Sequence, residues 1–122
     1  MMNNNTTILY VDDEPLNIML FTVNFKKKFD VITGKSGMEG LELLRKNPNI
    51  TTVISDMKMP GMNGLDFIRM AKSEFPHLTY YILTGYDITD EMQNALKNNL
   101  IRKYFSKPIN FKEIENSIRE AV

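Results

Sequence analysis

The most informative stretch of the chain is Ser55-Asp56-Met57-Lys58-Met59-Pro60-Gly61-Met62-Asn63-Gly64. It follows the apolar residues Val53 and Ile54, so Asp56 is a lone carboxylate at the end of a strand of the buried kind. Taking such a charge out of water is costly unless another group compensates for the lost hydration. Packing alone does not explain an acid there, and the position therefore predicts a functional site.

A second pair of acids, Asp12 and Asp13, ends the apolar run Ile8–Val11 in the same way. Strands that deliver carboxylates to the same edge of a sheet bring them close together. At an effective dielectric constant near 20, two carboxylates about 4 Å apart repel each other by roughly 4 kcal/mol. Three such groups must take up a proton or bind a cation.

Apolar runs alternate with helical patterns along the whole chain. Short strands are predicted at Ile8–Val11, Val31–Thr33, Val53–Ser55, Tyr80–Leu83 and Tyr104–Phe105. Continuously apolar strands indicate a parallel sheet covered on both faces. The fold predicted is α/β, a doubly wound five-stranded parallel sheet with right-handed crossovers and helices on both faces.

Each intervening segment has one apolar helical face of the kind that packs on a core. The residues of these faces are Leu16, Met19, Leu20 and Val23; Met38, Leu41 and Leu44; Leu65, Ile68 and Ala71; Met92, Ala95 and Leu96; and Phe111, Ile114 and Ile118. Capping residues agree with these helices: Ser36, Thr89 and Asn110 are predicted N-caps. Asn98-Asn99 is predicted to stop the fourth helix.

Composition excludes several functions. The 122 residues include no cysteine and one histidine, which rules out disulfides, thiol catalysis and a cysteine-based zinc site. The formal net charge is zero, without the basic stripe that duplex binding requires, so no direct binding of nucleic acid is expected. No segment has the apolar length of a membrane span, and the polar start is unlike a secretion signal. We expect a cytoplasmic protein with one domain at 7–122 after a disordered tail at 1–6.

Two more side chains end strands at the same edge, Thr84 after the fourth and Lys107 after the fifth. Each of these residues alone has an ordinary explanation, as a turn former, a strand residue or a solvated charge. Together they predict a site, since ligands bind at the carboxyl ends of the strands in such sheets. Oxygen ligands suit Mg²⁺, and a carboxylate beside Mg²⁺, a lysine and a hydroxyl can attack a phosphoryl group.

These residues, in this order, resemble the receiver domain of two-component response regulators. The resemblance runs from about Thr7 to Val122 and depends on Val11-Asp12-Asp13-Glu14-Pro15, the Asp56–Gly64 stretch, Leu83-Thr84-Gly85 and Lys107-Pro108. It implies the strand order 2-1-3-4-5. It also implies that Asp56 is the phosphoacceptor, that a histidine kinase or phosphotransfer domain is the donor, and that Mg²⁺ is the cofactor.

The resemblance also assigns roles to single residues. Asp12, Asp13, Asp56 and the backbone carbonyl of Lys58 would hold Mg²⁺. Thr84 and Lys107 would bind the phosphoryl group, and the Lys107–Pro108 peptide would be cis.

Tyr104 matches the switch aromatic of the family, whose ring turns inward when Thr84 moves. The face formed by the fourth helix, fifth strand and fifth helix would then change and control a downstream partner, with a phosphorylation-dependent dimer as one possible outcome. The side chains of Lys58 and Tyr86 occupy positions that, by the same resemblance, would tune the lifetime of the phosphate.

Two other functions stay open on the sequence alone. One is a receiver-like interaction module that works without phosphorylation. The other is an Asp-nucleophile phosphohydrolase, although such enzymes place Asp-x-Asp-x-Thr after the first strand, where this chain has Asp12-Asp13-Glu14-Pro15. The chain is expected to be a signalling phosphoacceptor rather than an enzyme with a separate substrate.

Overall fold

The computed structural model describes residues 6–85 and 88–121. Within these ranges the chain alternates five strands with five helices. The strands are β1 Thr7–Val11, β2 Asp30–Gly34, β3 Ile50–Asp56, β4 Thr79–Thr84 and β5 Lys103–Ser106. The helices are α1 Pro15–Phe25, α2 Gly37–Lys46, α3 Gly64–Glu74, α4 Asp90–Lys97 and α5 Phe111–Ala121.

The strands form one parallel sheet in the order β2-β1-β3-β4-β5, which confirms the predicted fold. A separate apolar core lies on each face of the sheet. One core includes Leu9, Val53 and Ile82, and the other includes the next residues in β1 and β3, Tyr10 and Ile54. This alternation leaves β1 and β3 covered by apolar residues on both faces of the sheet. Because β1 and β3 are neighbours within the strand order, their carboxyl ends lie side by side at one edge of the sheet.

The predicted helix ends agree with the structure. The side chains of Ser36, Thr89 and Asn110 each accept a hydrogen bond from the backbone N–H three residues ahead. Asn99 has φ of 61°, the left-handed conformation expected after α4. A further capping box, not predicted from the sequence, links Asn63 and Asp66 at the start of α3.

The predicted core face of α1 is wrong. Leu16, Met19, Leu20 and Val23 are 41–60% exposed, whereas Phe21 and Phe25 are buried. The Phe21 ring stacks on Tyr10 with 4.0 Å between centroids, and this contact fixes the rotation of the helix. Phe25 in turn contacts Phe21, with 4.7 Å between ring centroids, so the two rings and Tyr10 form one aromatic cluster whose ring contacts add to the area they bury. In α2, Met38 is likewise exposed, while Leu41 and Leu44 are buried as predicted.

Part of the sequence prediction falls outside the residues described. The disordered tail was expected at 1–6, of which only Thr6 belongs to the described part of the chain. Tyr86 also lies outside the described residues. Among the helices that are described, none combines the length and the apolar character needed to cross a bilayer.

Candidate functional site

Three carboxylates meet where β1 and β3 end. Asp12, Asp13 and Asp56 each place an oxygen atom within 4.8 Å of the other two. The first two residues follow β1 and the third is the last residue of β3, so neighbouring parallel strands produce the cluster directly. This convergence agrees with the prediction from the sequence.

Asp12 is completely buried, and both of its carboxylate oxygens accept hydrogen bonds. The Tyr10 hydroxyl donates to Oδ2 at 2.6 Å, and the Glu14 backbone N–H donates to Oδ1 at 3.0 Å. Burial, with the neighbouring Asp12 carboxylate, raises the pKa of the Tyr10 phenol far above its ordinary value, so this group remains a hydrogen-bond donor. Tyr10 is not among the predicted site residues, although residues i and i+2 of a strand point to the same face.

Asp56 is 4% exposed and forms an ion pair with Lys107, with 2.9 Å between Oδ1 and Nζ. Burial raises the pKa of Asp56, and repulsion from Asp12 adds to this effect. The hydrogen bond from Lys107 acts in the opposite direction and lowers that pKa. Lys107 is therefore the nearby cation that keeps an ionised Asp56 tolerable in this environment.

The loop after β3 is held closely against Asp56. The Gly64 backbone N–H donates to the Met57 carbonyl at 2.8 Å, and the Met57 N–H donates to the Leu83 carbonyl at 2.9 Å. A Cβ atom on Gly64 would lie 2.3 Å from the Asp56 carbonyl oxygen, so only glycine fits at the start of α3. Gly61, in the same loop, has φ of +77°, a conformation that also favours glycine.

Thr84 and Lys107 lie beside the acids at the ends of β4 and β5. Thr84 is buried, its backbone carbonyl accepts the Lys107 N–H at 2.7 Å, and the Lys107–Pro108 peptide is cis. An open cavity of about 400 Å³ exposes the site to solvent. It is lined by Asp13, Glu14, Asp56, Lys58, Gly85 and Lys107.

Tyr104 lies farther along β5, partly buried against the core that contains Met92 and Ala95 of α4. It precedes Lys107 by three residues and packs on the side of the sheet that α4 covers. Lys58 is exposed at the rim of the cavity.

The donor set fits a magnesium ion. Carboxylate and carbonyl oxygens are the ligands that Mg²⁺ prefers, and it usually keeps several waters beside one or two protein carboxylates. Two of the three carboxylates, Asp13 and Asp56, line the cavity that opens onto solvent, and the described residues around the cluster provide no thiolate or imidazole. Asp12, Asp13, Asp56 and the Lys58 carbonyl are the groups that would hold the ion.

Residues 8–119 match the model of the response regulator receiver domain. The chain belongs to this family. Receiver domains are signalling proteins of two-component systems that bind Mg²⁺ at an acidic pocket. They interact with histidine kinases or phosphotransfer proteins and with downstream effectors.

Individual relatives agree with this assignment. The chain is 28% identical over 118 residues to sporulation initiation phosphotransferase F of Bacillus subtilis, covering 95% of this chain and 93% of that one. A response regulator receiver domain protein from Clostridium thermocellum has a TM-score of 0.84 and 31% identity over 95% of this chain and 93% of its own. The response regulator TrrA from Thermotoga maritima, in complex with Mg²⁺ and BeF, has a TM-score of 0.82 and 25% identity, covering 96% and 99% of the two chains.

Other relatives are much longer. The chain spans 25% and 32% of the length of two transcriptional regulators, to which it is 25% and 31% identical.

Proposed function

We propose that Asp56 accepts a phosphoryl group from a phosphohistidine of a histidine kinase or phosphotransfer domain. The observation that carries this proposal is the environment of its carboxylate. Asp56 is paired with Lys107 at 2.9 Å and lies within 4.8 Å of oxygens from Asp12 and Asp13. A nucleophilic carboxylate beside a lysine and a cation-binding pair of acids matches the needs of phosphoryl transfer.

In the proposed reaction an oxygen of Asp56 attacks phosphorus, the new O–P bond forms, and the P–N bond to the donor imidazole breaks. The imidazole nitrogen keeps the electron pair and takes a proton. Lys107 and Thr84 hold the oxygens of the transferred group. When bound, Mg²⁺ supplies positive charge that reduces repulsion between those oxygens and the carboxylates.

Treatment with acetyl phosphate and Mg²⁺ tests this proposal. We expect one acid-labile phosphoryl group, located at Asp56 by mass spectrometry of peptides. Asp56→Asn should abolish the modification. Asp30→Asn is the matched control, because Asp30 is an exposed acid at the opposite end of the sheet. Phosphate retained in Asp56→Asn would contradict the assignment.

We infer that the phosphodonor docks on the exposed face of α1. Leu16, Met19, Leu20 and Val23 form an apolar surface on a helix that begins directly beside Asp12 and Asp13. A helix of the donor lying on this surface would bring its phosphohistidine to the site. Met19→Glu should slow phosphorylation by a phosphodonor protein and leave phosphorylation by acetyl phosphate unchanged.

Phosphorylation is proposed to change the face formed by α4, β5 and α5, which carries Lys97, Arg102 and Lys103. The switch would run from Thr84 to Tyr104, whose ring is partly buried against the core below α4. Binding of a downstream protein or formation of a dimer would follow. Tyr104→Ala should leave the extent of phosphorylation unchanged and weaken the phosphorylation-dependent contact, measured by light scattering or co-purification.

We propose that the side chains of Lys58 and Tyr86 control how long the phosphoryl group remains on Asp56. Lys58 lies at the cavity rim, where its ammonium can influence the approach of water. Tyr86→Ala should accelerate spontaneous dephosphorylation, and an unchanged rate would contradict the assignment. Localisation in the cytoplasm, in reach of a kinase, stays a prediction that imaging of a tagged protein can test.

A further inference from the structure

Tyr10 contacts the metal-binding cluster from inside the protein, yet the proposed transfer of phosphate does not require it. Its ring is fully buried and stacked on Phe21, with 4.0 Å between centroids and 4° between ring planes. Its hydroxyl is 2.6 Å from Oδ2 of Asp12. A hydrogen bond of this length to a carboxylate is charge-assisted and therefore strong.

The position of the hydroxyl is fixed from two sides. Tyr10 belongs to β1, which pairs with β2 on one side and β3 on the other, so its backbone has little freedom. The stack with Phe21 of α1 fixes the ring plane. Together these contacts hold a donor at one point, and Asp12 must orient its carboxylate towards that donor.

A second donor restrains the other oxygen of Asp12. The Glu14 backbone N–H lies 3.0 Å from Oδ1, so Asp12 is held at both oxygens. A carboxylate restrained in this way cannot readily turn both oxygens towards one cation. Each oxygen keeps one further lone pair, so the carboxylate can bind a cation through a single oxygen or bind a water molecule of the cation.

This restraint affects cations differently. Ca²⁺ takes six to eight oxygen ligands at about 2.3–2.6 Å and often binds carboxylates through both oxygens. Mg²⁺ demands octahedral geometry at about 2.0–2.1 Å and keeps several waters. A restrained, single-oxygen carboxylate suits the second ion better than the first.

We propose that Tyr10 is a positioning residue that sets the cation selectivity of the site, by holding Asp12 in an orientation that favours Mg²⁺ over Ca²⁺. The inference rests on the proposed function only in assuming that the acidic cluster binds a divalent cation. It concerns the cation alone and makes no use of the phosphorylation step.

Tyr10→Phe tests the proposal because it removes the hydroxyl and keeps the ring that stacks on Phe21. Loss of a group that orients a metal ligand lowers metal affinity by about 10–100-fold. We expect Mg²⁺ affinity to fall by about 10-fold, and Ca²⁺ affinity to fall less or to rise. The ratio of the two dissociation constants, measured by calorimetric titration with MgCl₂ and CaCl₂, should move towards Ca²⁺.

Tyr81→Phe is the matched control. Tyr81 is another fully buried tyrosine with a stacked ring partner, Phe105, but its hydroxyl donates to the Ser117 carbonyl of α5, away from the acids. This variant should leave both cation affinities unchanged. Phe21→Leu gives a second test that keeps the hydroxyl and loosens its position, and it should shift selectivity in the same direction by a smaller factor.

Two outcomes would overturn the proposal: equal losses of Mg²⁺ and Ca²⁺ affinity in Tyr10→Phe, or no change in either. Treatment of the same samples with acetyl phosphate separates this inference from the proposed function. Selective loss of Mg²⁺ binding in a protein whose Asp56 never accepts phosphate would support the role of Tyr10 and refute phosphorylation.

Discussion

Asp56 is buried beside two other acids, and without a bound metal ion the charge of its carboxylate opposes folding even though Lys107 is paired with it. Burial raises its pKa above the ordinary value, with Asp12 adding to the increase and Lys107 opposing it. A carboxyl with a higher pKa in the folded protein than in the unfolded chain binds protons more tightly when folded. Stability therefore falls as the pH rises from the ordinary pKa, about 3.9, through the raised folded value.

Asp56→Asn should therefore stabilise the metal-free protein at neutral pH. The gain should be complete above the raised pKa of Asp56 and disappear below its ordinary value. Asp12, Asp13 and Lys107 lie close to this position and Glu14 and Lys58 line the same cavity, and all five charged groups remain in the variant. Urea unfolding in EDTA across a pH series measures the gain, and a difference between variant and wild type that does not grow with pH would contradict this account.

Gly64→Ala should impair both stability and phosphorylation. The Cβ of the new alanine would lie 2.3 Å from the Asp56 carbonyl oxygen and 2.8 Å from Cδ1 of Ile82. The carbonyl oxygen belongs to the backbone and cannot rotate away as a side chain could. Overpacking of this kind costs about 1–3 kcal/mol. Urea unfolding and acetyl phosphate labelling should both detect the change.

Gly61→Asn is the comparison for Gly64→Ala. Gly61 has positive φ with open space around its Cβ position, and asparagine tolerates the left-handed conformation. It should cost much less stability than Gly64→Ala. Equal losses in the two variants would contradict the steric explanation.

For single residues, the sequence was enough to predict the acids that end strands, but not the buried residues that hydrogen-bond to those acids. Asp12, Asp13 and Asp56 could be predicted to meet, because parallel neighbouring strands end at one edge. In the sequence, nothing distinguishes Tyr10 from any other aromatic residue in a buried strand. Its bond to Asp12 depends on the rotation of a ring that only the packed Phe21 fixes.

Among the elements, α1 is where sequence and structure disagree. It carries two apolar stripes, one through Leu16, Met19, Leu20 and Val23 and another through Ile18, Phe21 and Phe25. Periodicity cannot choose between them, since both recur at helical spacing. The choice depends on which side chains fit the space beside Tyr10 and β1, which is a property of the tertiary structure. The other helices have one dominant stripe, and their buried faces agree with the prediction apart from Met38 of α2, which is exposed.

The two faces of α1 should respond very differently to truncation. Phe21→Ala should destabilise the protein by about 3–5 kcal/mol, the usual cost for a buried phenylalanine. Val23→Ala should change stability by less than about 0.5 kcal/mol, because Val23 is 59% exposed. Urea unfolding followed by circular dichroism measures both, and a large loss in Val23→Ala would reverse the assignment of the faces.

Binding of a cation at the site should affect the stability of the whole molecule, because the strands that carry the acids also form the middle of the sheet. β1 and β3 pair with each other and contribute residues to both cores. A cation that binds the folded cluster and not the unfolded chain adds its binding free energy to the stability of the entire domain. At a Mg²⁺ concentration 100 times the dissociation constant, this gain is about 2.7 kcal/mol.

Mg²⁺ should therefore raise the unfolding midpoint of the wild type, with the same shift in far-ultraviolet circular dichroism and in tyrosine signals from both cores. Asp13→Asn should remove most of this shift, since it deletes one ligand charge at the cavity that opens to solvent. Asp30→Asn, at the opposite end of the sheet, should keep it. A shift that survives in Asp13→Asn, or is lost equally in Asp30→Asn, would mean that Mg²⁺ stabilises the protein through its general surface charge. The carboxyl edge of the sheet would then not be the binding site.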